Sequence, residues 1–164
     1  MLSGRGLSTP KDTTGMGESL RYLYVARTKM VAMMNTLTNQ ITSLLVTAPE
    51  AIREKYLPLP AKQRILGLAR CRPSAAQPDE LAFDILTVLK TMAATYRDLE
   101  EKAATLLARM QHILELHHPA LLEVYGSGPV TAAALVIAAG ANPERIRSEA
   151  AFAKLCGACP IPEQ

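Results

Sequence analysis

Aromatic residues are scarce: the 164-residue chain has no Trp, two Phe and five Tyr, although 49% of it is hydrophobic. A sheet-based domain leans on aromatic and β-branched residues, so this poverty argues against an all-β fold. Three cysteines (Cys71, Cys156, Cys159) are too few and of the wrong parity for a disulfide framework. No apolar run reaches the ~18 residues that a bilayer span requires; the longest candidate, Ala132 to Ala141, is far shorter. The opening Met1-Leu2-Ser3-Gly4-Arg5-Gly6 lacks the apolar core of a signal peptide. These absences together predict a cytoplasmic protein. Charge of one sign is also missing, with 18 Lys/Arg against 15 Asp/Glu, which excludes a disordered, charge-driven chain.

What remains is Ala and Leu, 25 and 23 residues respectively, the strongest apolar helix formers. The length suits one ordinary domain. Residues 1–80 carry a balance of +5 and residues 81–164 a balance of −2. The first half is therefore the better candidate to meet a nucleic acid.

Periodicity organises the chain. From Gly17 to Val46, the residues Leu20, Leu23, Met30, Met34, Leu37, Ile41 and Leu44 form one stripe, interrupted once by Arg27. From Asp79 to Leu116, the residues Ile85, Leu89, Met92, Tyr96, Leu99, Ala103, Leu106, Met110 and Ile113 alternate steps of four and three. That spacing is the signature of a coiled-coil seam. Between the two lies a connector, 49–80, with five of the eleven prolines and short helical patches at Ala51–Tyr56 and Ala61–Ala69. The simplest arrangement pairs the long helices antiparallel, and a hairpin of two helices favours a homo-oligomer that covers its remaining apolar surface.

Pro119 ends the second long helix, and three short helices follow. One starts at Pro129 after Gly128 and closes at Gly140. The next opens at Asn142-Pro143; the last is capped by Ser148 and stopped by Gly157. The predicted fold is all-α: a long antiparallel two-helix coiled coil followed by a short helix-hairpin-helix-like bundle. Its predicted divisions are a loop at 1–16, the coiled-coil hairpin at 17–118 and a C-terminal segment at 119–164.

Chemistry is concentrated at one place. Gly126-Ser127-Gly128 before a Pro-started helix presents free backbone N–H groups and the positive end of a helix dipole, which suit a phosphate. Gly126, Ser127, Gly128 and Thr131 are the predicted DNA-backbone contacts. Arg21, Arg27 and Lys29 could follow a nucleic-acid backbone, or form an ordinary solvated basic face. The turn is neither a dinucleotide fingerprint nor a Walker loop, since no strand precedes it and no Gly-Lys-Ser/Thr follows. Cys156 and Cys159 have Cys-x-x-Cys spacing but lack the further ligands of a zinc site. His117 and His118 suit the negative end of a helix dipole. No nucleophile, base and acid come together in a recognisable order, so no catalytic residue and no metal site is assigned.

Two blocks carry a resemblance. The first runs through Leu2-Ser3-Gly4-Arg5, Thr9-Pro10-Lys11, Glu18-Ser19-Leu20-Arg21, Ala26-Arg27-Thr28-Lys29, Asn39-Gln40 and Leu44 to Pro49. The second comprises Gly126 to Ala132, Gly140 to Phe152 and Leu155 to Pro162. Together they resemble the DEDD-type insertion-sequence transposases, the IS-one-ten / IS-one-sixteen group, over about half the chain. Two positions depart from the pattern: Asp12-Thr13-Thr14 replaces a basic residue after Lys11, and Cys159 replaces an apolar one.

The resemblance implies a RuvC-like nuclease domain with four acidic residues, a helical coiled-coil segment and a C-terminal domain with a nucleophilic Ser. It also implies DNA transposition and recombination, Mg²⁺ in the full-length family, and an element-encoded RNA beside DNA as partner. The acidic motifs would precede Met1 and the nucleophile would follow Pro162. The chain is therefore expected to be a fragment that supplies DNA binding and oligomerisation, with no cofactor and no catalysis of its own. The rival expectations are a helical coiled-coil interaction protein without DNA affinity, and a small metal-binding module built on the Cys pair.

Overall fold

The computed structural model describes residues 15–74, 80–140 and 146–158, and within them every regular element is helical. The all-α expectation holds. The order is α1 (Gly15–Thr47), α2 (Glu50–Tyr56), α3 (Ala61–Arg70), α4 (Glu80–His117), α5 (Pro119–Glu123), α6 (Pro129–Ala139) and α7 (Glu149–Leu155). Both long helices appear within two residues of their predicted bounds, and so do the two patches of the connector. The opening loop was expected to reach residue 16, but α1 already includes Gly15 and Met16. The helix expected to open at Asn142-Pro143 lies outside the described residues.

One helix was missed. Pro119 ends α4 but also starts α5, because proline has its φ preset for a first helical turn and needs no N–H acceptor there. The backbone N–H of His118 donates to the Leu114 carbonyl at 2.7 Å and closes α4 immediately before this new start.

The chain forms two compact units. One consists of the described residues within 27–105 and the other of those within 1–26 and 106–164. In the first, the end of α1 (Ile41, Leu45, Ala48) meets the start of α4 (Leu86, Leu89, Ala93), and α2 and α3 close over them with Ile52, Tyr56, Ile65 and Leu68. In the second, the start of α1 (Leu20) meets the end of α4 (Met110, Ile113, Leu114), and α6 adds Ala132, Ala133 and Val136.

The predicted seams are the positions that become buried. On α4 all nine are buried or half-buried, and Leu89, Leu99, Ala103, Met110 and Ile113 are nearly inaccessible. On α1 the stripe drifts by one position, so that Leu45 is fully buried while Leu44 is half-buried. A straight helix of 3.6 residues per turn slips against a strict 3.5-residue repeat, and 33 residues allow that slip to show.

A single guanidinium organises the connector. Arg64 on α3 donates from Nη2 to the Leu57 carbonyl at 2.8 Å and the Leu59 carbonyl at 3.0 Å. Its Nε reaches the Tyr56 carbonyl at 3.2 Å, and its Nη1 reaches Thr42 Oγ1 on α1 at 2.8 Å. The carbonyls belong to the end of α2 and the loop after it, where helix acceptors lack intrahelical partners; the Tyr56 carbonyl also accepts from the Leu59 N–H at 3.2 Å. Gly67 keeps α3 close to the same lobe, since a Cβ there would stand 3.3 Å from the Tyr56 ring. Burial pushes the half-buried Cys71 thiol up, against the opposing charges of Lys90 and Lys55.

Replacing Arg64 by Met keeps the aliphatic stem but strips these donors. Charged hydrogen bonds contribute about 1.5–3 kcal/mol each, discounted here for partial exposure, so a loss of about 2–4 kcal/mol is expected. Urea denaturation checks it. Arg64→Lys recovers only a small part, because an ammonium cannot span the same fork of acceptors.

Candidate nucleic-acid interface

The 124–128 turn is built from the residues upward. The Ser127 N–H donates to the Val124 carbonyl at 2.9 Å and closes the turn. Gly126 sits at φ +82, a left-handed conformation that side-chain-bearing residues avoid. Gly128 then adopts φ −74, ψ 171 as the N-cap of α6, and Pro129 occupies the first helical turn. The Gly128 carbonyl accepts from the Ala132 N–H at 3.0 Å, which begins the helical ladder.

The donors ahead of that ladder face no acceptor of the helix. Helix geometry leaves the Val130 and Thr131 N–H groups without intrahelical partners, and no side chain caps them. Thr131 is exposed. Ser127 is half-buried, and its Oγ is inaccessible and without a hydrogen-bond partner.

The two glycines differ in their reasons. Gly126 is required by its φ. Gly128 has an ordinary φ, and a Cβ there would meet nothing within 4 Å. The chain's own packing therefore sets no demand for a missing side chain at 128. A bare backbone at an open helix N-terminus is what close approach by an external phosphate needs.

The scaffold beneath the turn is closely packed. Ala132 and Ala133 are fully buried against Leu20, Met110, Ile113 and Leu114. Their small side chains let α6 lie close to its neighbours, which fixes where the turn projects. The same unit holds an apolar cavity of about 550 Å³, lined among others by Leu121, Leu135, Val136, Phe152 and His118. The buried Nε2 of His118 has no hydrogen-bond partner. Periodicity gives no signal for such a cavity, because it arises where three short helices fail to fill a corner.

Residues 118–164 match the family described as Transposase IS116/IS110/IS902 family. The C-terminal segment is thus similar in sequence to an insertion-sequence transposase family. The match covers the glycine turn, α5, α6 and α7. No curated protein and no solved structure matches the chain.

The matched segment contains four of the seven expected contact residues, and the structure gathers Gly126, Ser127, Gly128 and Thr131 at one helix start. The cationic candidates belong to a different element, α1. Arg21 is engaged where it stands. Its Nε donates to both Glu18 carboxylate oxygens at 2.8 and 2.9 Å, and its guanidinium lies over the Tyr22 ring at 4.9 Å. The Glu18 hydrogen bond and charge hold the Arg21 guanidinium above its ordinary range. Arg27 is half-buried with its Nε enclosed and unpartnered, while Lys29 is exposed. Arg27 and Lys29 belong to the 27–105 unit, and Arg21 to the other.

Metal chemistry finds no donor set among the described residues. No three side chains of His, Cys, Asp or Glu gather there, so the Mg²⁺ that the resemblance implies has no fitted site in them. Cys156 is exposed at the C-terminal end of α7, and Cys159 lies outside the described residues. The Ser148 hydroxyl accepts from the Ala151 N–H at 3.1 Å, as expected of a cap. None of the described helices is long and apolar enough to cross a membrane.

The two glycines separate in a stability experiment. Gly126→Ala should cost about 1 kcal/mol or more, since alanine resists a left-handed φ. Gly128→Asn should stabilise by a few tenths of a kcal/mol, since asparagine is a better N-cap than glycine and the backbone already suits it. Thermal melts followed by circular dichroism distinguish the two signs.

Proposed function

We propose that this chain serves DNA transposition as a DNA-engaging and copy-pairing part, with the 126–128 turn as its hold on backbone phosphate. The carrying observation is Gly128: it lies at the open N-terminus of α6 and is held to glycine by neither φ nor packing. The family match of residues 118–164 supports the transposition context. The Val130 and Thr131 N–H groups are the donors that would meet phosphate oxygens. Contacts of this kind position a protein on a duplex and read no sequence. An RNA backbone offers the same phosphates, so an element-encoded RNA is a partner with the same chemistry. Lys29, the exposed cation, is the better supporting charge; Arg21 is already committed to Glu18.

The second reading is a helical pairing protein without DNA affinity. The Glu18–Arg21 ion pair favours it, since it removes one of three candidate cations.

Titration of a labelled DNA duplex at increasing salt decides between them. The proposal expects affinity to fall steeply, with a log–log slope near 0.9 per phosphate neutralised. Gly128→Asp should weaken binding about tenfold or more while leaving the helix as stable or more stable, because aspartate caps well yet repels phosphate. Lys29→Ala should reduce the salt slope by about one contact and Arg21→Ala by less. Salt-insensitive or absent binding, or an unaffected Gly128→Asp variant, overturns the proposal. A parallel titration with RNA duplex reports which nucleic acid is preferred.

A further inference from the structure

The segment that carries the glycine turn is poor in positive charge. Residues 118–164 hold three Lys/Arg (Arg145, Arg147, Lys154) against four Glu (Glu123, Glu144, Glu149, Glu163), a balance of −1. The charge nearest to the turn in sequence is the exposed carboxylate of Glu123. A protein that holds a duplex by its phosphates draws affinity from cations and the counterions they release. Two N–H groups and a helix dipole, with a carboxylate close by in the chain, are a weak hold on that basis. For this turn to keep a strand, a contact that needs no charge has to supply the rest.

The aromatic residues show where such a contact is available. The chain has seven, and all are among the described residues. Tyr56 is buried, and Tyr24, Phe83, Tyr96 and Phe152 are half-buried. Tyr22 is exposed, but the Arg21 guanidinium lies over its ring. Tyr125 alone stands wholly in water, at 104% relative exposure, and Val124 beside it is 58% exposed. An aromatic side chain outside every core contributes nothing to folding by burial.

The backbone under this ring is nevertheless held. The hydrogen bond from the Ser127 N–H to the Val124 carbonyl closes a four-residue turn, with Tyr125 second and Gly126 third. A positive φ at the third position, here +82, is the mark of a type II turn. At the other end the segment is anchored by the fully buried Ala132 and Ala133. The ring, the bare Gly128 and the open N–H groups of Val130 and Thr131 thus share one stretch, 125–131. A tyrosine has only two χ angles to fix, so covering its ring costs little conformational entropy.

We infer that Tyr125 is a stacking platform for an unpaired nucleobase, and that the turn prefers a single strand to an intact duplex. A paired base has both faces covered by its neighbours, and taking it out of the stack costs free energy. An unpaired base has a free π-face whatever its identity, so stacking on tyrosine is tolerant of sequence. The chemistry recognised is a base beside a phosphate, which single-stranded DNA and single-stranded RNA share. The inference takes its place from the proposed phosphate hold and adds the class of strand.

The absence of tryptophan from the chain makes a direct test possible. Tyr125→Trp introduces a single tryptophan, whose fluorescence reports stacking. Four probes of equal length are titrated into the full chain at one salt concentration: a mixed-sequence DNA strand, the same sequence as RNA, the DNA duplex, and an abasic strand that keeps the phosphates without bases. The base-bearing single strands should bind about tenfold more tightly than the duplex or the abasic strand. They should quench the tryptophan of Tyr125→Trp, and the abasic strand should not. Tyr125→Ala should weaken single-strand binding about tenfold, Tyr125→Leu nearly as much and Tyr125→Phe little, because the ring makes the contact. Thermal melts of these variants should match the wild type, since the side chain is fully exposed. The tighter of the DNA and RNA strands identifies the source. Equal binding of abasic and base-bearing strands, or an unaffected Tyr125→Ala variant, overturns this inference and leaves the phosphate hold standing. Quenching at full affinity in Tyr125→Trp combined with Gly128→Asp overturns the phosphate hold and leaves the stacking standing. No binding of any probe overturns both.

Discussion

Two helices of 33 and 38 residues each carry an apolar stripe along their length, and neither can leave that stripe in water. Burial of one apolar side chain contributes roughly 1.5–3 kcal/mol, so the stripes dominate every other preference of the chain. The rest of the architecture answers this constraint. In one unit α2 and α3 cover the seam where α1 ends and α4 begins; in the other α6 covers it where α1 begins and α4 ends. The short helices α2, α3 and α6 are thus lids on the ends of a seam, which explains why residues distant in sequence share a core.

The lids are held differently. The connector lobe is tied by polar contacts through Arg64, which gathers carbonyls at and just after the end of α2 and links them to Thr42 on α1. α6 is held by close approach, through two alanines with no accessible surface. A polar tie tolerates a proline-broken connector, because it depends on a few fixed acceptors. A small-residue contact instead demands an exact helix position, and that demand places the glycine turn at the head of α6 in a defined orientation. Packing and the placement of the glycine turn are therefore linked through Ala132 and Ala133.

Legibility in the sequence followed periodicity and punctuation. The nine-residue seam of α4 could be read directly, because steps of four and three leave little alternative for so long a run. The start of α6 at Pro129 and its stop at Gly140 could be read as well, since proline and glycine act locally. α5 could not, because Pro119 both ends one helix and starts another, and the local signal is the same for either. The glycine turn was visible as a pattern, but the separate reasons for Gly126 and Gly128 were not. They depend on a φ angle and on empty space around a Cβ that does not exist. Arg21 read as a free cation; its pairing with Glu18 and stacking on Tyr22 arise three residues and one residue away, where short spacing leaves many geometries open.

The sequence by itself determined the helical class, the extent of both long helices, the stripe each buries and the glycine-rich entrance to α6. These follow from local backbone preference and from the repeat of apolar residues, and both are written in chain order. Only the tertiary structure decided that Arg64 is a hub and that His118 lines a cavity. It also decided that Gly128 is bare without internal cause, and that one side of the uncharged half of α1 is buried while the other is exposed. Each of these depends on which surfaces meet, and a charge-free stretch looks the same in sequence whether it is a core or an unoccupied face.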